Sequence, residues 1–167
     1  MDNVINFEAY KPKPTFVIAP DGEPIFSKRD TEALTKHMAA ASYAYNHWRD
    51  ASGHGLTTRA VIEVGRNWTE CKRITKDAFK DWFEYTGGWP IEGTECFINA
   101  YELSLKHNAI LNLPARAILL VSCPATPEAT RTKIIKRVEA GEKLSEDKVE
   151  AIIRRANGGH KIDLGFW

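Results

Sequence analysis

The sequence predicts a mainly α-helical protein: a compact multi-helix domain that contains a helix-turn-helix-like unit, with a small β-hairpin near its N-terminus. Apolar residues recur every three or four positions through most of residues 30–157, which is the period of an amphipathic helix. Capping residues, glycines and prolines stand where these runs stop, and the breaks between runs are short. We therefore expect an arm and hairpin at 1–29, a helical domain at 30–157 and a tail at 158–167.

The N-terminal segment is predicted to be extended before the first helix begins. Two short β-prone runs, at 15–19 and 24–26, flank an Asp-Gly pair, which is typical of a hairpin. The first helix is expected from Asp30 or Thr31, either of which can act as its cap, to about residue 52. Its inward face is predicted from one apolar stripe: Leu34, Met38, Ala41, Tyr45 and Trp48.

Three more helices are predicted before residue 108. Their expected bounds are Thr57 or Thr58 to Ile74, 76–85 after a cap at Thr75, and 92–107 after the break at 87–90. The apolar positions that should face the core are Val61, Val64, Trp68 and Cys71, then Phe79, Trp82 and Phe83, then Phe97, Ile98, Tyr101 and Leu105.

Three helices complete the predicted domain. The run 115–122 is almost wholly apolar and is expected to be a central fifth helix. A sixth helix opens at 126–128, with threonine as its cap and proline in its first turn, and closes at Gly141. A seventh is capped by Ser145 and ends at the Asn-Gly-Gly of 157–159.

The overall charge excludes some classes of function. The 23 basic and 22 acidic residues leave a formal net charge of +1, which argues against a diffuse polycation on nucleic acid. No apolar run approaches the roughly 20 residues that a bilayer requires, and the first residues lack the pattern of a signal peptide. The three cysteines, odd in number and widely spaced in apolar contexts, indicate reduced thiols and a cytoplasmic location.

Motifs for catalysis are missing from the sequence. The Gly-His-Gly at 53–55 lacks the Lys-Ser/Thr of a phosphate-binding loop, and the five histidines form no HExxH pattern. We therefore expect no enzymatic activity, no metal and no cofactor. A site assembled from residues distant in the chain would leave no such pattern.

Residues 76–107 match the geometry of a helix-turn-helix, with the fourth helix in the place of the recognition helix. Thr94 and Asn99 are then the candidates for contacts with base edges. Glu92 and Glu95 stand at the same end of that helix, where carboxylates repel phosphates. Two consecutive helices of an ordinary bundle are the alternative interpretation.

Basic residues collect on other helices instead. We predict phosphate contacts from two groups, which are Arg66, Lys72 and Arg73 on the second helix, and Arg131, Lys133, Lys136 and Arg137 on the sixth. A solvated surface is the alternative for both groups.

A series of short motifs, at 62–66, 78–82, 113–117, 123–128 and 139–145, carries a family resemblance. In their order and spacing, residues 61–155 resemble an uncharacterised family of helical domains carried by phages and plasmids, distantly similar to the helix-turn-helix region of ParB-type partition proteins. The resemblance implies a helix-turn-helix-like fold and a mobile-element origin, and it brings no catalytic residues. The chain departs from the family pattern at its acidic fourth helix.

These observations lead to two functional hypotheses. The first is a DNA-binding accessory or regulatory protein of a phage or plasmid that contacts double-stranded DNA through its basic helices. A twofold homodimer is the usual arrangement of such regulators. The alternative is a protein-binding inhibitor from a mobile element, anti-CRISPR-like or otherwise directed against host defence, that occupies a host protein or nucleoprotein complex. The residues that would serve the alternative are Trp89, Glu92, Glu95, Glu102, Phe166 and Trp167.

Overall fold

A computed structural model describes residues 17–18, 24–48, 55–86 and 91–164, and in these ranges the chain is mainly helical, as the sequence predicts. The helices are α1 (Lys28–His47), α2 (Thr58–Thr75), α3 (Phe79–Thr86), α4 (Ile91–Lys106), α5 (Ala115–Ser122), α6 (Glu128–Glu139) and α7 (Glu146–Ala156). Two 3₁₀ segments, Lys76–Ala78 and Asn108–Asn112, precede α3 and follow α4.

The predicted N-terminal hairpin falls largely outside the described ranges. A two-residue strand β1 (Val17–Ile18) pairs antiparallel with β2 (Pro24–Ile25), so that Val17 lies opposite Ile25. Residues 1–16, which include the predicted arm, and residues 19–23 lie outside these ranges. Because the residues that would connect the two strands are not described, the hairpin remains a prediction.

The first helix begins earlier than the sequence predicts. Ser27 is its N-cap, because its Oγ atom accepts a hydrogen bond from the backbone N–H of Asp30 at 3.1 Å. The same hydroxyl donates to the Asp30 carboxylate at 2.8 Å, which places a negative charge in the first turn. The predicted cap at Asp30 or Thr31 is therefore wrong. The helix ends at His47, short of the expected residue 52.

The second and seventh helices begin at the predicted caps. Thr57 accepts from the N–H of Ala60 at 3.1 Å, and Ser145 accepts from the N–H of Lys148 at 3.3 Å. Each contact satisfies a backbone donor that the first turn of a helix cannot satisfy internally. Local sequence signals are sufficient at both positions.

Two other predicted caps have different roles. The hydroxyl of Thr126 donates to the carbonyl of Leu120, at the end of α5, and Pro127 takes the cap position of α6. The hydroxyl of Thr75 donates back to the carbonyl of Cys71 at 2.9 Å. Both threonines are buried, so their hydroxyls pair with carbonyls of the preceding helix.

Helix α2 packs between α1 and α4. At its crossing with α4, a Cβ atom on Gly65 would lie 2.1 Å from the carbonyl oxygen of Phe97. The two backbones therefore approach to a distance that only glycine permits. Where α2 meets α3, Trp68 and Phe83 stack edge to face with ring centroids 5.1 Å apart. The predicted inward positions of α2 and α3 are thus confirmed as core.

Helix α4 is more deeply buried than its charges suggest. Phe97 and Ile98 are inaccessible, as predicted, and Tyr101 is half-buried. Leu105, in contrast, is 69% exposed, because no described residue covers that side of the last turn. The prediction that Leu105 faces the core is therefore wrong.

Helix α5 is central, and it packs against α4 and α7. Every residue of α5 except Arg116 is buried. The Arg116 guanidinium lies outside the core, and its Nη1 atom donates hydrogen bonds to the carboxylates of Glu146 and Glu150 on α7, each at 2.9 Å. This pairing lowers the pKa of Glu150 and joins the two helices at their edge. Helix α6 packs beside α5, α7 and the 3₁₀ segment Asn108–Asn112.

Candidate nucleic-acid interface

Helix α6 buries one side and presents the other to solvent. Ile134, Ile135 and Val138 face the core. The exposed side, which we call the α6 stripe, consists of Ala129, Thr132, Lys133 and Lys136. Spacings of three and four place these residues along one line of the helix surface. Two of its residues are cationic and the other two, Ala129 and Thr132, have small side chains. A ligand can therefore approach the helix backbone closely at Ala129 and Thr132.

The two lysines of the α6 stripe differ from the arginines of the same helix in their ionic contacts. Neither Lys133 nor Lys136 forms an ion pair with another described residue, whereas Arg131 and Arg137 on the same helix each contact a glutamate. An exposed ammonium that makes no ion pair within the protein is available to an external anion. The stripe is therefore the part of α6 best suited to contact phosphate.

Arg131 is occupied by the end of α5. Its Nε atom donates to the carbonyl of Val121 at 2.9 Å, and its Nη2 atom donates to the carbonyls of Cys123 at 3.1 Å and Thr126 at 3.2 Å. Its Nη1 atom contacts the carboxylate of Glu128. Because the last carbonyls of a helix have no internal donors, this guanidinium completes the end of α5. Its geometry is that of a structural residue.

The end of α6 is closed by a glycine turn, as predicted at Gly141. Gly141 has a φ of +85°, its N–H donates to Val138 at 2.9 Å, and the N–H of Glu142 donates to Arg137 at 3.0 Å. These two bonds define a Schellman motif. The sequence signal was sufficient here, because a left-handed residue at this position favours glycine.

Arg137 reinforces that turn through its side chain. Its Nε and Nη2 atoms donate to the two carboxylate oxygens of Glu142, each at 2.6 Å, and Lys148 of α7 reaches the same carboxylate at 2.9 Å. The hydrogen bonds from Arg137, followed by that from Lys148, lower the pKa of Glu142 to about 2. Arg137 thus links α6 to α7.

The predicted basic group on α2 is separate from the α6 stripe. Arg66 pairs with Glu63 at 2.6 Å, and Arg73 pairs with Glu70 at 2.8 Å. Lys72 is exposed. Helix α2 shares extensive packing with α1 and α4 and no comparable interface with α6. The two predicted groups therefore lie on helices that share no extensive packing.

The residues expected to read bases on α4 point elsewhere. Thr94 is inaccessible to solvent, so its prediction as a base contact is wrong. The Asn99 amide is partly buried and donates to the carbonyl of Ser122 on α5 at 3.1 Å. Both side chains face the interior of the protein, because this part of α4 packs against α2 and α5. A recognition helix needs exposed side chains at this end.

The acidic residues of α4 form a second exposed feature. Glu95 and Glu102 are exposed, and seven residues, or about two turns, separate them along the helix. Neither forms an ion pair within the described ranges. The side chain of Glu92 and the residues Trp89, Phe166 and Trp167 lie outside what the structure describes.

Comparison with protein-family models, with curated proteins and with solved structures finds no match. None of the described helices is both long and apolar enough to cross a membrane. The described residues thus define a helical protein in which the solvent-facing side of α6 carries two exposed lysines that make no ion pair with another described residue.

Proposed function

We propose that this protein binds double-stranded DNA and that α6 is the helix that enters the major groove. The observation that carries the proposal is the pair of exposed lysines, Lys133 and Lys136, which make no ion pair with any described residue, on a helix whose opposite side is buried in the core. A helix of this kind fits the width of the groove, and its lysines supply contacts to phosphate or to guanine.

The elements around α6 resemble a helix-turn-helix in their order. Helix α5 is the buried support, residues 123–127 are the turn, and α6 is the exposed helix. Thr132 and Ala129 lie on the α6 stripe, where small apolar groups can contact a thymine methyl. In this arrangement the unit lies about forty residues further along the chain than the sequence pattern at 76–107 indicates.

The proposed biological role is that of an accessory or regulatory protein of a phage or plasmid, and it is supported by the resemblance over residues 61–155. A twofold dimer would place two copies of α6 roughly one turn of DNA apart, on a palindromic site. Light scattering on the purified protein, with and without duplex, tests that stoichiometry.

The test is fluorescence anisotropy with a labelled random-sequence duplex of about 20 base pairs at low salt. Lys133→Gln combined with Lys136→Gln removes two cations from the stripe. We expect at least about a tenfold loss of affinity, and a salt dependence shallower by about two counterions. Lys28→Gln combined with Lys36→Gln on α1 is the matched control, because it removes two exposed cations from another helix. Undetectable binding by the unmodified protein at low salt would contradict the proposal.

The alternative function is that of a protein-binding inhibitor, in which the carboxylates of Glu95 and Glu102 mimic the phosphates of a nucleic acid. Its support is the exposure of both carboxylates on one helix without a cationic partner among the described residues. Affinity purification from a nuclease-treated bacterial lysate distinguishes the two functions. A stoichiometric protein partner that is lost in the Glu95→Gln, Glu102→Gln variant would favour the inhibitor.

A further inference from the structure

A cleft of about 190 Å³ lies between one face of α4 and the junction of α5 with α6. Its α4 residues are spaced by three, one and three positions, so they follow one face of that helix. The other wall is formed by the last residue of α5 and by Arg131 of α6. The residues that line the cleft are Asn99, Glu102, Leu103, Lys106, Ser122 and Arg131. Cationic, anionic and neutral polar groups therefore surround one small space.

The hydroxyl of Ser122 has no hydrogen-bond partner among the described residues. Ser122 is 1% exposed, and its carbonyl accepts a hydrogen bond from the side chain of Asn99 at 3.1 Å. A buried hydroxyl without a partner destabilises a folded protein, and such groups are rare. Because Ser122 lines the cleft, a molecule bound there is placed to supply the missing partner.

Two opposite charges that line the cleft are also without an ionic partner. Glu102 and Lys106 are exposed and lie about one turn apart on α4, and neither forms an ion pair with another described residue. Arg131, in contrast, contacts Glu128 and donates to carbonyls at the end of α5. One carboxylate and one ammonium group are therefore available to a ligand in the cleft.

We propose that this cleft binds a free α-amino acid in its zwitterionic form. Lys106 and the hydroxyl of Ser122 bind the carboxylate of the ligand, and Glu102 binds its ammonium group. A ligand with one charge would pair with only one of the two charged side chains, whereas a zwitterion pairs with both. None of these residues belongs to the α6 stripe, so the site does not depend on DNA binding.

The size of the cleft suits a ligand of this class. Its volume corresponds to roughly six water molecules, which is below the range of sites for drug-sized ligands. A small amino acid has a comparable number of non-hydrogen atoms. Leu103 adds an apolar contact for the side chain of the ligand.

The first measurement locates the ligand on the protein. The isotope-labelled full-length protein is titrated with each of the common protein amino acids at millimolar concentration, and backbone amide shifts are recorded by NMR. We expect at least one amino acid to cause saturable shifts concentrated in residues 99–106 and 122–131. Its deamino and decarboxy analogues, which carry one charge each, should bind at least about tenfold more weakly. The absence of saturable shifts, shifts centred elsewhere, or equal binding of either analogue would overturn the proposal.

The second measurement assigns the two charged contacts. Glu102→Gln and Lys106→Gln each remove one charge from the cleft, and each should weaken binding of the amino acid about tenfold or more. Lys80→Gln and Glu84→Gln are the controls, because they change an exposed pair with the same spacing on α3. Both controls should bind as the parent does. Unchanged affinity in either cleft variant would overturn the pairing with a zwitterion.

The Ser122→Ala variant separates a ligand contact from a role in folding. The hydroxyl makes no hydrogen bond within the described residues, so its removal should not lower the melting temperature of the free protein. The same change should weaken binding of the amino acid about tenfold, because the carboxylate of the ligand loses a donor. Unchanged affinity would overturn the place of Ser122 in the site, whatever happens to the melting temperature.

Discussion

Arg131 on α6 donates a hydrogen bond of 2.9 Å from its Nε atom to the carbonyl oxygen of Val121 in the last turn of α5. With its further bonds to Cys123 and Thr126, the guanidinium supplies donors that the end of α5 lacks. It therefore sets the position of α6 relative to the helix that supports it. In our account, Arg131 orients α6 and the lysines of the stripe contact DNA.

Replacing Arg131 should reduce stability more than replacing another arginine. Arg131→Met leaves three carbonyls without their charged donor, and we expect a loss of about 1.5–3 kcal/mol in the free energy of unfolding. Arg155→Met is the matched control, because Arg155 is exposed in the last turn of α7. Urea denaturation measures both variants. Equal losses would show that the α5 contacts of Arg131 contribute no stability.

Gly65 should not accept even a methyl group. Alanine normally stabilises a helix relative to glycine by about 1 kcal/mol. At Gly65 the added Cβ would meet the Phe97 backbone at 2.1 Å, so we expect Gly65→Ala to lower the free energy of unfolding by about 1–3 kcal/mol. Arg66→Ala, at the exposed neighbouring position, should have little effect in the same thermal or urea unfolding experiment. A Gly65→Ala variant as stable as the parent would contradict the close crossing of α2 and α4.

The contact between Arg137 and Glu142 should make stability depend on acid pH. The pKa of Glu142 is about 2 in the folded protein and 4.5 ordinarily, so its ionised form favours folding. This contribution is fully present above about pH 4.5 and is lost as the pH falls towards 2. The melting temperature of Glu142→Gln should therefore lie below that of the parent at neutral pH and approach it in acid. Glu32→Gln, exposed on α1, is the control, and a pH-independent difference would refute the pairing.

The three cysteines should differ in their rates of alkylation. Burial raises the pKa of Cys71 to about 12, so its thiolate is scarce at neutral pH. Cys123 combines a lowered pKa with the greatest exposure of the three. Iodoacetamide at about pH 7 should therefore modify Cys123 first, as peptide mapping would show. Modification of Cys71 at the same rate would mean that the folded environment does not protect it.

Local signals in the sequence predict most of the helices. Ser145 and Gly141 are found at the ends of the predicted helices because caps and left-handed turns depend on neighbouring residues. The cap of α1 at Ser27 is not among the predicted caps, although Ser27 and Asp30 have the spacing of a capping box. Thr126 has the pattern of a cap and bonds to Leu120 instead, because tertiary packing offers its buried hydroxyl a carbonyl.

The candidate site was only partly predictable, for a different reason. Lys133 and Lys136 are recognisable as basic residues of a predicted helix, but their exposure to solvent depends on how α6 packs. Thr94 is a candidate for a base contact only if α4 stands in the place of a recognition helix, whereas contacts from α2 and α5 bury that part of α4. The bonds from Arg131 to the carbonyls of Val121 and Cys123 depend on how α6 packs against the end of α5, and no spacing in the sequence indicates them.

The most direct test of the account is an NMR titration of the isotope-labelled protein with a short duplex at low salt. If α6 binds DNA, backbone amide shifts should concentrate between Ala129 and Lys136, and the Lys133→Gln, Lys136→Gln variant should lose them. Amides from Glu95 to Glu102 on α4 should stay near their free positions. Shifts that centre on α4, or none along α6, would contradict DNA binding through the α6 stripe.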